Sequence, residues 1–213
     1  MEIILEISEF LQKGRSAKVK ELVALALEQG INPEIILDKG LLAGMSVVGE
    51  KFKKNEVFVP EVLVSARAMN AGVEILRPYL IKAGVQTKGI AIIGTVKGDL
   101  HDIGKNIVKM MLEGKGLTVF DLGVDVPAEV FIEKAIEHNA NVICCSALLT
   151  TTMDEMKRVV DKAVEAGIRD KVKIMIGGAP VNQSFCDTIG ADYYTPDGAT
   201  AGDVALQICN ACK

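Results

Sequence analysis

The sequence predicts an α/β protein in two parts: an N-terminal four-helix bundle cap, then a doubly wound, flavodoxin-like domain on a five-stranded parallel sheet. Three observations carry this expectation. Up to about residue 83 the only periodicity is helical, and from Ile90 onward β-branched apolar runs alternate with amphipathic stretches. Between them, Ala83 to Lys88 is short, polar and Gly-containing, as a linker would be. The expected domains are therefore residues 1–84 and 85–213.

In the first part, a weaker helix near residues 2–12 precedes one that Ser16 could cap, with Val19, Leu22, Val23, Ala26 and Leu27 on one side. Asn32-Pro33 reads as an N-cap followed by Pro at the first helical position, which needs no N–H there. It opens a helix with Leu41, Met45, Val48 and Phe52 on one stripe. Pro60 opens the last, where Val59, Val62, Ala66, Met69, Val73, Leu76 and Leu80 alternate spacings of three and four, the seam of a bundle helix.

In the second part, strands are expected at Ile90–Ile93, Leu117–Phe120, Val142–Cys145, Val172–Ile176 and, briefly, Tyr193-Tyr194. Amphipathic stretches at 104–115, 127–138 and 152–167 separate the first four, and a last helix starts near Gly198. Such alternation makes βαβ units, hence parallel strands with helices on both faces. Ligands bind such sheets beyond the carboxyl ends of the strands, so the loops after Ile93, Phe120, Cys145 and Ile176 matter most.

Composition narrows the function. Of 213 residues 49% are hydrophobic, 24% charged and only 4% aromatic, enough to bury a core without staples. The formal charge is −4, with residues 85–213 the acidic part, so no nucleic-acid partner is expected. Glu2, Glu6 and Glu9 interrupt the apolar residues at the start and no run is long enough to span a bilayer, so no membrane partner and a cytoplasmic location are expected. The five cysteines are expected as thiols, Cys144 and Cys145 packing as small hydrophobes. Cys209 and Cys212 form a lone terminal pair, for which helix-end packing is a better reading than metal binding. His138, near a helix C-terminus, reads as a favourable dipole placement.

The loop after the first strand runs Gly94-Thr95-Val96-Lys97-Gly98-Asp99-Leu100-His101-Asp102-Ile103-Gly104-Lys105-Asn106. Phosphate-handling readings fail on spacing: Gly98 to Gly104 encloses five residues where a P-loop has four, and Lys105 precedes Asn106 rather than Ser or Thr. A G-x-G-x-x-G is absent, and the third strand ends in Ser146 where a phosphoacceptor domain would carry Asp. There remains Asp99-x-His101-x-x-Gly104. A carboxylate accepting one ring N–H fixes the tautomer and raises the basicity of the other nitrogen, which suits a ligating histidine. One histidine cannot hold a bare ion, but it suffices when the metal arrives inside a macrocycle. The alternative is a plain loop histidine, with Asp99 or Asp102 merely capping the next helix.

Ser146-Ala147-Leu148 follows the third strand and Gly177-Gly178-Ala179 the fourth. The ordered set Asp-x-His-x-x-Gly, Ser-x-Leu, Gly-Gly resembles the cobalamin-binding domain of cobalamin-dependent methionine synthase and of the corrinoid proteins of methyltransferase systems. Asp102 to Val108, Asp121-Leu122-Gly123-Val124 and Val126-Pro127-Ala128-Glu129 are similar to that family too. In the bundle, Gly44-Met45-Ser46-Val47-Val48-Gly49, Phe58-Val59-Pro60 and Ser65-Ala66-Arg67 look like its helical cap. The resemblance spans about residues 30–200.

The resemblance implies cobalamin or a related corrinoid, cycling between methylcob(III)alamin and cob(I)alamin, bound with its own lower base displaced. It implies His101 as the cobalt ligand, Asp99 as hydrogen-bond partner of the other ring nitrogen, and Thr152 as the hydroxyl extending the relay, a position that adds a methyl to the family's serine. Gly94, Gly98, Gly104, Gly177 and Gly178 would give clearance to the displaced tail and Ser146 a hydrogen bond, with tight turns the rival reading for each glycine. Asp102, Ile103 and Leu148 lie within the same motifs and count with the cofactor site. Phe58 would shelter the upper face, with core packing as its rival. With a cap and a cobalamin domain and no further module, the chain looks like a stand-alone methyl carrier rather than a complete enzyme. The partners implied are a substrate:corrinoid methyltransferase for a small donor such as a methylamine, methanol or a methoxy-aromatic, a corrinoid:thiol or folate/pterin methyltransferase, and a reductive activator. A cobalamin-responsive sensor, which would change oligomeric state with adenosylcobalamin or light, and a storage protein, which would show no methyl turnover, are the alternatives.

Overall fold

The computed structural model describes residues 2–211. It forms two compact units that divide between Gln86 and Thr87, inside the polar stretch at 83–88. Cys212 lies outside the described residues.

The first unit is helical: α1 (Glu2–Gln12), α2 (Ser16–Glu28), α3 (Pro33–Ile35), a π-helical stretch (Ile36–Leu42), α4 (Ala43–Lys53) and α5 (Val59–Lys82). From Pro33 to Lys53 the backbone stays right-handed helical throughout, so α3, the π stretch and α4 make one long helix, and the described residues of the unit form four. Asn32 Oδ1 accepts the Glu34 N–H at 2.8 Å and caps this helix. The second helix differs from its expected start: Ser16 is already helical, Arg15 stands at the N-cap, and no side chain caps it. At α5 the Glu61 carboxylate accepts the Phe58 N–H at 3.1 Å. Ile7, Leu11, Val23, Ile36, Leu41, Met45, Met69 and Leu76 fill the middle of the bundle.

The second unit holds β1 (Ile90–Thr95), α6 (Ile103–Gly114), β2 (Thr118–Asp121), α7 (Ala128–Glu137), β3 (Val142–Ser146), α8 (Asp154–Glu165), β4 (Lys173–Gly177), α9 (Gln183–Ile189), β5 (Tyr193–Tyr194) and α10 (Gly198–Ala211). All pairings are parallel, in the order β2-β1-β3-β4-β5. Side chains alternate across the sheet. Ile92, Ile143 and Ile174 face one way, against α7, α8 and α9, while Ala91, Ile93, Val142, Cys144 and Met175 face the other, against α6 and α10. Cys144 and Cys145 therefore pack on opposite faces, both buried, and burial pushes the Cys145 thiol up to about 12.

The sheet runs further than the apolar runs do. Thr95 pairs with Ser146 and Ser146 with Gly177, so three polar or small residues join the ladder at its carboxyl end. The helix α9 has no counterpart in the expected elements. Asn182 caps it through the Phe185 N–H at 2.9 Å and Gly190 ends it in the left-handed conformation, but seven residues are too few for a visible period. Among the described residues no helix is long and apolar enough to cross a membrane.

Candidate functional site

The strand order reverses between β1 and β3, and the loops that leave those two strands at this point converge on one carboxylate. Asp99, from the loop after β1, is fully buried. Its Oδ1 accepts the His101 backbone N–H at 3.1 Å and lies 2.7 Å from His101 Nδ1. Its Oδ2 accepts the N–H groups of Leu148 at 2.8 Å and Leu149 at 3.1 Å, and the Thr152 hydroxyl at 2.9 Å, all from the loop after β3. Thr152 Oγ1 is also 2.9 Å from the Leu149 carbonyl. One hydroxyl proton serves one acceptor, and an anionic oxygen is the stronger.

Burial by itself would raise the Asp99 pKa. The hydrogen bonds from Leu148, from the backbone and ring of His101 and from Thr152 outweigh it and hold this carboxyl well below the usual carboxylate range. An ionised carboxylate only accepts, so His101 carries its proton on Nδ1 and turns the Nε2 lone pair away from Asp99. Nε2 has no hydrogen-bond partner among the described residues, and the side chain is 50% exposed. The loops that carry this group also carry Leu100 and Ile103, 71% and 72% exposed, and the exposed Leu148 and Leu149.

The helix-capping alternative does not hold. Asp102 stands at the N-cap of α6, but its carboxylate bonds no backbone N–H there and accepts the Asn106 side-chain amide at 3.1 Å.

A cavity of about 350 Å³ opens at the carboxyl ends of β1, β3 and β4 against α6, lined by Ile93, Gly104, Val108, Ser146, Gly177 and Gly178 among others. Two of these glycines serve the fold: a Cβ on Gly177 would stand 3.1 Å from the Thr195 carbonyl oxygen, and one on Gly178, at φ +132°, would collide with the Ala147 carbonyl. Gly104 is different. Nothing lies within 4 Å of where its Cβ would be, so the protein's own packing does not ask for glycine there. Gly94 and Gly98 do not line this cavity, and each has a local reason to be glycine. The Phe131 ring occupies the space a Gly94 Cβ would take, and Gly98, at φ +80°, makes the turn into Asp99.

The remaining expected positions separate. Phe58 lies in the helical unit at the N-cap of α5 and is 63% exposed, so core packing is not its role. His138 is the C-cap of α7 and stacks on Phe120 with ring centroids 3.6 Å apart, a contact no periodicity announces. Sequence reasoning missed three contributors. The buried Thr95 donates its hydroxyl to the His101 carbonyl at 2.8 Å, Leu149 acts through its backbone, and residues 194–197 complete the cavity. A threonine at a strand end and a backbone N–H carry no signal until the loops fold back onto them. Lys105, also in the lining, is buried and bonds Asp121 Oδ1 at 2.7 Å.

The donor set and the space together fit a corrinoid. Among the described residues no group of three or more His, Cys, Asp or Glu could hold a metal ion, whereas a metal with its own equatorial nitrogens needs one imidazole. The cavity lined by Gly104 has room for an appended tail.

Comparison with known proteins agrees. Residues 89–204 match the model of the B12 binding domain, and residues 3–77 match a second B12 binding domain model. The chain is 44% identical over 209 residues to trimethylamine corrinoid protein 1 of Methanosarcina mazei, covering 97% of this chain and 95% of that one. It is 44% identical over 202 residues to dimethylamine corrinoid protein 1 of the same organism, covering 94% and 93%. Among solved structures it resembles the methanol:cobalamin methyltransferase complex MtaBC of Methanosarcina barkeri, with a TM-score of 0.88 and 35% identity over 98% of this chain and 80% of that one. A cobalamin-binding protein of Desulfitobacterium hafniense gives a TM-score of 0.79 and 29% identity, covering 96% and 98%. The chain thus belongs to the corrinoid proteins of methyltransferase systems, built from a helical cap and a B12-binding domain.

Proposed function

We propose that this chain is the methyl carrier of a methylamine-dependent methyltransferase system, with His101 as the residue that would hold the cobalt of its corrinoid. The observation that carries the site assignment is the buried Asp99 carboxylate bonded to His101 Nδ1, which leaves Nε2 as the ligating nitrogen. The choice of methylamines as donors is supported by the names of the 44% identical relatives. The bound corrinoid supplies a cobalt centre that accepts and releases a methyl group. The partners of this reading would be a substrate:corrinoid methyltransferase, a corrinoid:thiol or folate/pterin methyltransferase, and a reductive activator.

The chain's own residues orient and hold protons. Asp99 keeps the proton on Nδ1, and two backbone N–H groups with the Thr152 hydroxyl prevent the carboxylate from turning. Were the ring to carry a second proton, the same carboxylate, 2.7 Å from Nδ1, would be its counter-charge. Ser146, Gly104, Gly177 and Gly178 border the cavity that takes the tail.

The test is an ultraviolet-visible spectrum of anaerobically reconstituted, desalted protein. Wild type is expected to retain the corrinoid with a histidine-ligated signature, His101→Ala to retain it without that signature, and Gly104→Leu to lose it on desalting. Wild type emerging colourless under several reconstitution conditions would overturn the assignment.

A further inference from the structure

We infer that Asp125, in the loop after β2, is a positioning residue for His101: it fixes the backbone of the loop after β1 so that Asp99 meets the imidazole. The inference rests on His101 as the ligating residue.

Three described non-glycine residues have positive φ: Asn55, Asp125 and Asn139. Asn55 directly follows the C-cap of α4 and Asn139 that of α7, where a left-handed residue closes a helix. Asp125 follows no helix. It stands between β2 and α7 at φ +54°, so its conformation needs another cause. In that conformation its N–H donates to the Asp99 carbonyl at 3.0 Å, while its Oδ1 accepts the Gly98 N–H at 2.7 Å. Both bonds land on the two residues that set the direction of the Asp99 side chain.

The neighbours show what the bonds extend. Thr95 N–H donates to the Gly123 carbonyl and Val126 N–H to the Thr95 carbonyl, each at 3.0 Å, and Val96 bridges Val126. The β1–β2 pairing is thus prolonged past both strands, and Asp125 holds the first turn beyond its end. Asp125 itself is exposed, so burial does not explain its place. One residue later the Asp99 side chain takes over, accepting the His101 N–H, while Thr95 secures the His101 carbonyl. Asp125 is therefore the outermost member of a chain of bonds that ends at the ring.

Residue chemistry gives a discriminating series. Asn keeps an Oδ1 acceptor and tolerates positive φ; Gly keeps only the backbone freedom; Ala keeps neither. If Asp125 only eased the turn, Gly would equal wild type.

The full chain, without cofactor and labelled with 15N-histidine, carries two histidines to assign, His101 and His138. In mildly alkaline buffer, wild type and Asp125→Asn are expected to show His101 chiefly as the Nδ1–H tautomer. In Asp125→Gly and Asp125→Ala the Nε2–H tautomer, which an unrestrained histidine side chain prefers, is expected to rise several-fold. With hydroxocobalamin, the Gly variant is expected to retain corrinoid on desalting while the histidine-ligated fraction of its spectrum falls. A wild-type tautomer ratio in Asp125→Gly, or a loss in Asp125→Asn as large as in Gly, overturns the inference. Should Ala fail to fold, the Gly and Asn pair decides. If wild type retains no corrinoid the cofactor assignment fails, while the tautomer ratios still decide the role of Asp125.

Discussion

Two carboxylates stand at the ends of neighbouring strands and are held in opposite ways. Asp121, the last residue of β2, bonds Lys105 at 2.7 Å, Lys109 at 3.4 Å and the Gly123 N–H at 3.0 Å. Burial works against its ionisation, but these partners win and its pKa is lowered. Asp99, beyond β1, is lowered as well, yet no lysine or arginine touches it among the described residues. Its partners are backbone N–H groups, a hydroxyl and an imidazole. A depressed carboxyl therefore does not mark a site by itself. A lysine partner keeps one charge across the working range of pH, so Asp121 is bolted down. An imidazole has a second nitrogen that can take a metal or a proton, so under the proposed function Asp99 would face a partner that changes state.

Asp99→Ala breaks the comparison most severely. It strands several buried donors at once and is expected to cost about 3–5 kcal/mol in denaturant unfolding of the cofactor-free protein, because each loses a hydrogen bond to a charged acceptor. The histidine-ligated spectrum should vanish with it.

Asp121→Asn is expected to cost less, about 1–2 kcal/mol, because the Asn106 side chain still accepts from Lys105 at 2.8 Å. Its spectrum should match wild type; loss of histidine ligation would mean that both carboxylates serve the site. The pH dependence sharpens the same point. Both folded-state pKa values lie below the unfolded value of about 3.9, so each carboxyl contributes fully above that range, and the contribution is lost as pH falls through the folded value. Wild type is expected to weaken in acid, and Asp121→Asn to show a shallower acid limb in thermal unfolding.

Thr152→Val is the mildest change. Deleting one hydroxyl bond to Asp99 is expected to cost about 1 kcal/mol, with a partial loss of histidine ligation that Thr152→Ser restores. An unaltered spectrum in Thr152→Val would remove the hydroxyl from the relay.

The fold was legible where burial is continuous. The four apolar runs of the parallel sheet and the three-four seam of α5 are dictated by what must be dry. The strand ends were not legible, because Thr95, Ser146 and Gly177 join the ladder through backbone pairing that leaves no hydrophobic trace. Helix α9 was too short to show a period. In the candidate site, Asp99 and His101 could be named from their motif and Thr152 from the family resemblance, whereas Thr95 and Asp125 act through bonds that exist only after two loops fold together. The glycines divide for the same reason: a sequence shows a missing side chain, and only the surrounding atoms show whether Phe131 fills the gap, as at Gly94, or nothing does, as at Gly104.

The sequence by itself determined the class of fold, the switch-point loops and the one histidine among them, because periodicity and residue chemistry are local properties of the chain. The tertiary structure decided that Asp99 is buried, that it faces His101 Nδ1 and leaves Nε2 without a partner among the described residues, and which glycines the fold itself requires. Those depend on donors brought together from Thr95 to Thr152, and distance in space is what a sequence does not contain.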